Sequence, residues 1–283
     1  MIKERLQEFK PANKEQAQSA LREIMQEIAL AGLYRGNFFE QAAFYGGTAL
    51  RIFHGLDRYS EDLDFSLLKQ NGEFSLEKYL DAIKTEFSSF GMEVSIKEKK
   101  KAKDTHIDSA CLKSETIWRE LVLDSVIPQA GLDQTPSLKI KIEVDTVPPL
   151  GFATEDKLLL KPFSFYVRCF TLPYLFAGKM HALLYRKWGQ NVKGRDWYDF
   201  EWYVKKGVSL NLKHFQQRAV ASGDVPEKLL IAQEFLAILK NRIDTVDMNL
   251  VKQDIIRFIP NPAAIDIWSS TYFKDLAAHL KFE

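Results

Sequence analysis

Cysteine is nearly absent. Cys111 and Cys169 are the 2 in 283 residues, far apart and without metal-ligand spacing, which excludes a disulfide scaffold and a cysteine zinc site. They are expected to be reduced, buried thiols of a cytoplasmic protein. No apolar run approaches the roughly 18 residues of a membrane span, and no signal peptide is expected, so no membrane partner is expected either. The formal net charge is only +1, so no overall field advertises nucleic-acid binding. Neither internal repeats nor low-complexity tracts occur. His54, His106 and His181 stand isolated and offer no metal set. What remains is 46% hydrophobic with 20 Phe and 5 Trp, enough for one large domain or two small ones.

Two short motifs carry the chemistry. Gly46-Gly47-Thr48 lies between an apolar run (Ala42, Ala43, Phe44, Tyr45) and a helix-like stretch (Ala49, Leu50, Ile52, Phe53). Strand, turn and helix follow, with glycines where a backbone must approach a phosphate closely. After a spacer comes Ser60-Glu61-Asp62-Leu63-Asp64-Phe65. Strand side chains alternate, so Asp62 and Asp64 are expected on one face and Leu63 and Phe65 in the core. Two such carboxylates repel unless a cation lies between them, and oxygen ligands of this kind suit Mg²⁺. A phosphate cradle followed by a metal-binding Asp-x-Asp is apparatus for nucleotidyl transfer.

Periodicity supplies the organisation. Asn13 is expected to cap a helix from Lys14 to Leu33, ended by Gly32 or Gly36. Leu76 to Phe90 reads as helix; Met92 to Lys97, Thr105 to Leu112 and Ser164 to Thr171 read as strands. Ser137 to Thr146 alternates Leu138, Ile140, Ile142 and Val144 against Lys139, Lys141, Glu143 and Asp145, a half-exposed strand. From Pro173 the pattern turns helical: Pro173–Lys187, Arg195–Lys205, Leu212–Ala221, Pro226–Lys240, Asn249–Phe258 and Ser270–Lys281. The expectation is an α+β lobe over residues 1–171 and an all-helical lobe over 172–283, with the nucleotide held between them.

Gly-Gly, a spacer and Asp-x-Asp resemble the signature of the DNA polymerase β superfamily, although the spacer from Thr48 to Glu61 is slightly long. A second block narrows the likeness: Leu172-Pro173-Tyr174-Leu175-Phe176-Ala177-Gly178-Lys179-Met180-His181-Ala182-Leu183-Leu184, then Lys193-Gly194-Arg195-Asp196-Trp197-Tyr198-Asp199-Phe200. With Gly-Gly-Thr-Ala-Leu-Arg and Arg58-Tyr-Ser-Glu-Asp-Leu-Asp-Phe, this closely resembles the AbiEii/AbiGii toxin family, over roughly residues 40–205. The resemblance implies a polymerase-β-like fold with a mixed sheet, and a Mg²⁺-dependent nucleotidyltransferase acting as the toxin of a bacterial toxin–antitoxin or abortive-infection pair. It implies an NTP substrate (GTP or a pyrimidine NTP), a tRNA 3′ end or other RNA as acceptor, and a cognate antitoxin. Transfer to a small molecule or protein, or a nucleotide-binding partner module without transfer activity, is the alternative.

The implied residues follow. Gly46, Gly47 and Thr48 hold phosphates, and Asp62 and Asp64 hold metal. Glu143 or Asp145 supplies a third carboxylate, the resemblance favouring Glu143. Lys179 lies in an otherwise apolar or small segment, so its ammonium must snorkel or meet an anion; the resemblance makes it an active-site lysine. Asp196 matches a further family acid, orienting Lys179 or serving as general base. Arg58 contacts a γ-phosphate or makes a plain salt bridge, and Arg186, seven residues beyond Lys179, extends the phosphate path. Ser60 lies two residues before Asp62, so on a continuing strand its hydroxyl shares the face of both carboxylates, and it is expected among the nucleotide-binding residues. In relatives a hydroxyl at this spacing can be modified by the antitoxin partner to switch the toxin off. The Lys97, Lys99, Lys100, Lys101 and Lys103 cluster reads as a solvated turn or a nucleic-acid contact. Trp197, Tyr198, Trp202 and Tyr203 read as core.

Overall fold

The computed structural model describes residues 2–97, 116–123, 138–186, 192–227 and 230–283. The expected strand over Thr105–Leu112, Cys111, His106 and the lysines 99–103 lie outside them. The chain divides into two compact units, one of Met1–Gly55, Tyr59–Leu150 and Thr154–Cys169, the other of Leu56–Arg58, Gly151–Ala153 and Phe170–Glu283.

The first unit begins with a short helix, α1 (Ile2–Glu8), and the long α2 (Lys14–Arg35). Asn13 caps α2 by accepting from the Gln16 N–H at 2.8 Å, and Gly36 ends it. The chain then forms β1 (Ala42–Tyr45), α3 (Gly46–His54), β2 (Asp62–Leu67), α4 (Glu77–Ser89), β3 (Ser95–Lys97), β4 (Thr116–Leu123), β5 (Leu138–Asp145), β6 (Thr154–Leu159) and β7 (Phe165–Phe170). These strands form one mixed sheet in the order β3-β4-β5-β2-β1-β7-β6. β2 runs antiparallel to β1 and parallel to β5, which places it centrally. Alternation sorts its side chains as expected, with Leu63 and Phe65 fully buried and Asp62 and Asp64 half-buried. Phe38 packs edge-on against Phe65 and Tyr79, each at 4.9 Å, anchoring the sheet face in an aromatic core. Each such buried ring contributes about 2–3 kcal/mol of transfer free energy.

Helix α2 carries three buried polar residues on its inner face, Glu23, Gln26 and Glu27. Each finds a partner: Glu23 accepts from Arg51 at 2.8 Å, Glu27 from Arg5 at 2.7 Å, and the Gln26 amide donates to the Ser60 carbonyl at 3.2 Å. The last bond holds the segment entering β2. That strand begins at Asp62, so Ser60 precedes it. The alternation that would carry its hydroxyl onto the Asp62/Asp64 face therefore does not reach Ser60, correcting the sequence expectation.

The second unit contains α5 (Leu172–Tyr185), α6 (Gly194–Lys205), β8 (Ser209–Leu210), α7 (Leu212–Ala221), α8 (Ala232–Thr245), α9 (Met248–Ile255), α10 (Ser270–Ala277) and β9 (Lys281–Phe282). It is helical but not wholly so, because β8 and β9 pair in parallel, Ser209 with Lys281. Three of the four aromatics expected in the core, Trp197, Tyr198 and Tyr203, are buried, while Trp202 is only partly so. Tyr203 stacks on Phe176 at 4.3 Å and Trp197 meets Phe273 edge-on at 4.9 Å. Among the described residues no helix is long and apolar enough to cross a membrane. Cys169 is a free, buried thiol, and burial pushes its pKa far up.

His214 lies buried in this unit against Tyr174 at 5.2 Å and Phe170 at 6.2 Å. Burial, reinforced by Arg218, lowers its pKa from 6.5 to about 3. Below the unfolded value the unfolded chain binds a proton that the folded His214 refuses, so stability falls as pH drops through that window. From pH 7 to pH 5 the loss from this residue should be roughly 2 kcal/mol. Thermal melts at the two pH values should show a smaller drop for His214→Phe than for the wild type; an equal drop would contradict the assignment.

Candidate active site

In the first unit the geometry starts where β1 runs into α3. Tyr45 ends the strand and is in register opposite Asp64 of β2. Gly46 then adopts φ +84°, a left-handed conformation that side chains resist. A Cβ at Gly46 would also collide with the Asp64 carboxylate. The glycine is therefore required twice over, once for the turn and once to let an acid lie against the backbone. Gly46→Ala should accordingly displace the Asp64 carboxylate, lowering transfer at least tenfold while costing about 1–3 kcal/mol in stability. Parallel activity assays and melts check this; full activity in the alanine variant would refute the close-approach argument.

Thr48 is fully buried, and its hydroxyl donates to the Asp62 carbonyl. Sequence reasoning assigned the residue to phosphate; its side chain ties the first turn of α3 to β2. Gly46 and Gly47 stand at the N-terminal end of α3, where main-chain N–H groups without an intrahelical acceptor and the helix dipole favour an anion.

Register separates the two candidate third acids. β5 pairs with β2 so that Glu143 is beside Asp64 and Lys141 beside Asp62, whereas Asp145 is beside Ser66. Glu143 thus shares the face of Asp62 and Asp64 directly beside them, and Asp145 is one pair further along that face. Asp145 accepts instead from the Val147 N–H at 3.3 Å. Glu143 is ion-paired with Lys141. Among the described residues, no three acidic, histidine or cysteine side chains converge as a metal-binding group.

The second unit holds a charged cluster built on α5 and α6. Lys179 reaches Asp196 at 2.8 Å and Asp199 at 2.9 Å. Arg186, just past the end of α5, comes within 3.8 Å of Asp196. Arg58 donates to both oxygens of Asp199, each at 2.6 Å, with the guanidinium 2% exposed and the carboxylate fully buried. Burial alone would raise the Asp199 pKa, but Arg58 and Lys179 hold it below the usual carboxylate value. Burial likewise opposes the Arg58 charge, yet Asp199 keeps its pKa raised. Of the two roles open to Arg58, the salt bridge is the one observed, and its buried fork is committed to Asp199 rather than to a phosphate.

Asp199 itself was missed by sequence reasoning. A signal existed: it is three residues from Asp196, on one helical face, in a Trp-Tyr-Asp-Phe run otherwise destined for the core. Gly194, at the head of the same helix, gives its N–H to Asp254 at 2.8 Å, and a Cβ there would collide with the Val251 carbonyl. The Lys-Gly-Arg-Asp motif thereby packs α6 closely on α9.

No curated protein matches the chain. Among solved structures, the chain is similar to MenT4, a nucleotidyltransferase toxin from Mycobacterium tuberculosis, at 13% identity over 99% of each chain with a TM-score of 0.51. It is also similar to JHP933 from Helicobacter pylori, at 16% identity over 93% of this chain and 88% of that one, TM-score 0.48. At such low identity the likeness to MenT4 concerns the fold alone. The family described as nucleotidyl transferase AbiEii toxin, type IV toxin–antitoxin system, matches residues 28–276. With that span covering most of the chain, the protein belongs to the AbiEii family of nucleotidyltransferase toxins.

Proposed function

We propose that the protein transfers a nucleoside monophosphate from an NTP, GTP or a pyrimidine NTP, to an RNA acceptor such as a tRNA 3′ end, with Mg²⁺, in the cytoplasm. The observation that carries this reading is the placement of Asp62 and Asp64 on one face of β2, with Asp64 lying against Gly46 at the head of α3. An all-oxygen donor pair fits Mg²⁺, and Glu143 beside Asp64 is the acid best placed to join them. When bound, the metal would lower the cost of charge on the α-phosphate and leaving pyrophosphate.

The chain's own groups supply the rest. The main-chain N–H groups at Gly46 and Gly47 bind phosphate oxygens. Lys179 neutralises phosphate charge, and its ion pair with Asp196 supports an orienting role for that acid. Asp196 is also the acid offered to the acceptor hydroxyl's proton, and Arg186 extends the phosphate path. Arg58 and Thr48 take structural roles. Family membership adds a cognate antitoxin as partner.

Incubating the protein with each α-labelled NTP and total RNA, with Mg²⁺, tests the reading. Label in an RNA band for one or two NTPs is expected. Label only in protein or in small molecules would replace the RNA acceptor with the alternative class.

A further inference from the structure

We propose that Lys141 stands in for a cation on the carboxylate face of the sheet until nucleotide arrives, and so sets how tightly the protein holds divalent metal. The inference rests on the metal reading above and assigns a regulatory role within that same site.

Four side chains form a block there. β2 presents Asp62 and Asp64, and β5 presents Lys141 and Glu143, paired Asp62 with Lys141 and Asp64 with Glu143. Like charges in adjacent register repel, and three carboxylates on one sheet face carry that penalty unless a cation offsets it. Lys141 supplies a cation within the block, its ammonium paired with Glu143. On its other flank β4 sets Glu120 in register with Lys141, and Glu120 in turn faces the Lys139 ammonium at 3.6 Å. Lys141 therefore has carboxylates on three sides.

Lys141 and a divalent ion thus compete for the same carboxylates. The phosphates of a bound NTP would give the Lys141 ammonium an alternative partner, freeing Glu143. Lys141 and Glu143 are 37% and 31% exposed, so the exchange needs no core rearrangement. A four-carbon stem with a point charge suits such a move.

Mn²⁺ titration without nucleotide, read by electron paramagnetic resonance of the free ion, tests this on the whole protein. Lys141→Met should bind Mn²⁺ about tenfold more tightly than the wild type, because a positive charge beside the site is removed. Lys141→Arg should stay within about twofold of the wild type, since the charge remains. In a Glu143→Gln background the gain from Lys141→Met should shrink to about threefold or less, the exchanged carboxylate being absent. Adding a non-hydrolysable NTP analogue should bring wild type and Lys141→Met together. Should Lys141→Met prove misfolded by thermal melt, Lys141→Gln takes its place. Wild-type Mn²⁺ binding with no gain in the neutral variant would overturn the stand-in role. Failure of the wild type to bind Mn²⁺, with Asp64→Asn indistinguishable from it, would overturn the metal reading and the inference with it.

Discussion

Asp62→Asn or Asp64→Asn should reduce nucleotidyl transfer by about a thousandfold or more while leaving the melting temperature unchanged or slightly raised. Both carboxylates are half-buried on the polar face of β2, whereas Leu63 and Phe65 carry the packing. An amide keeps the shape, so no cavity forms. What disappears is one of two adjacent negative charges, a change that relieves repulsion in the metal-free protein. Loss of function without loss of fold is therefore the expected pattern, read by transfer rate and thermal melt on the same preparation. Transfer within tenfold of the wild type, with Mg²⁺ present, would mean that the Asp-x-Asp pair does not hold the metal.

Asp199→Ala should have the largest effect on stability, about 3–5 kcal/mol, or a fall in melting temperature of about 10 °C. The reason is the partner left behind. Arg58 would remain buried with neither oxygen of its bidentate acceptor, and Lys179 would lose one of its two acids. Replacing both members, as in Arg58→Met with Asp199→Leu, should recover much of the loss, because the uncompensated charge goes with them. Acid should act in the same direction as the single substitution. The Asp199 pKa is depressed in the folded protein, so its contribution is present above the unfolded carboxylate value and is lost as pH falls through the folded value. An Asp199→Ala protein melting within 2 °C of the wild type would show that the pair is not a stability determinant.

How much of this was legible in the sequence follows from the range of each interaction. β2, β5 and α2 were readable because alternation, helical spacing and the Asn13 cap are local signals. β6 was not: Glu155, Asp156 and Lys157 give it no apolar face, and it forms as an edge strand with Lys157–Glu155 and Arg168–Asp156 ion pairs. β8 and β9, of two residues each, offer no periodicity at all. The resemblance already favoured Glu143, but alternation alone could not separate it from Asp145, since both acids share the polar face of one strand; the β2–β5 register sets Glu143 beside Asp64. Arg58 and Asp199 are 141 positions apart, so their pairing has no local trace. Lys141 was legible only as one of several lysines alternating with acids; the register that puts it beside Asp62 gives it meaning. The bond from the Thr48 hydroxyl to the Asp62 carbonyl spans 14 positions and so had no local trace either.

The central claim is that the bond broken lies between the α- and β-phosphates of an NTP and that the nucleotide moves to an acceptor. Simultaneous measurement of pyrophosphate released and α-label incorporated, with the accepted NTP and Mg²⁺, tests it most directly. One pyrophosphate per nucleotide incorporated is predicted, both falling together in Asp64→Asn. Release of inorganic phosphate in place of pyrophosphate, or pyrophosphate release that persists undiminished in Asp64→Asn, would contradict it.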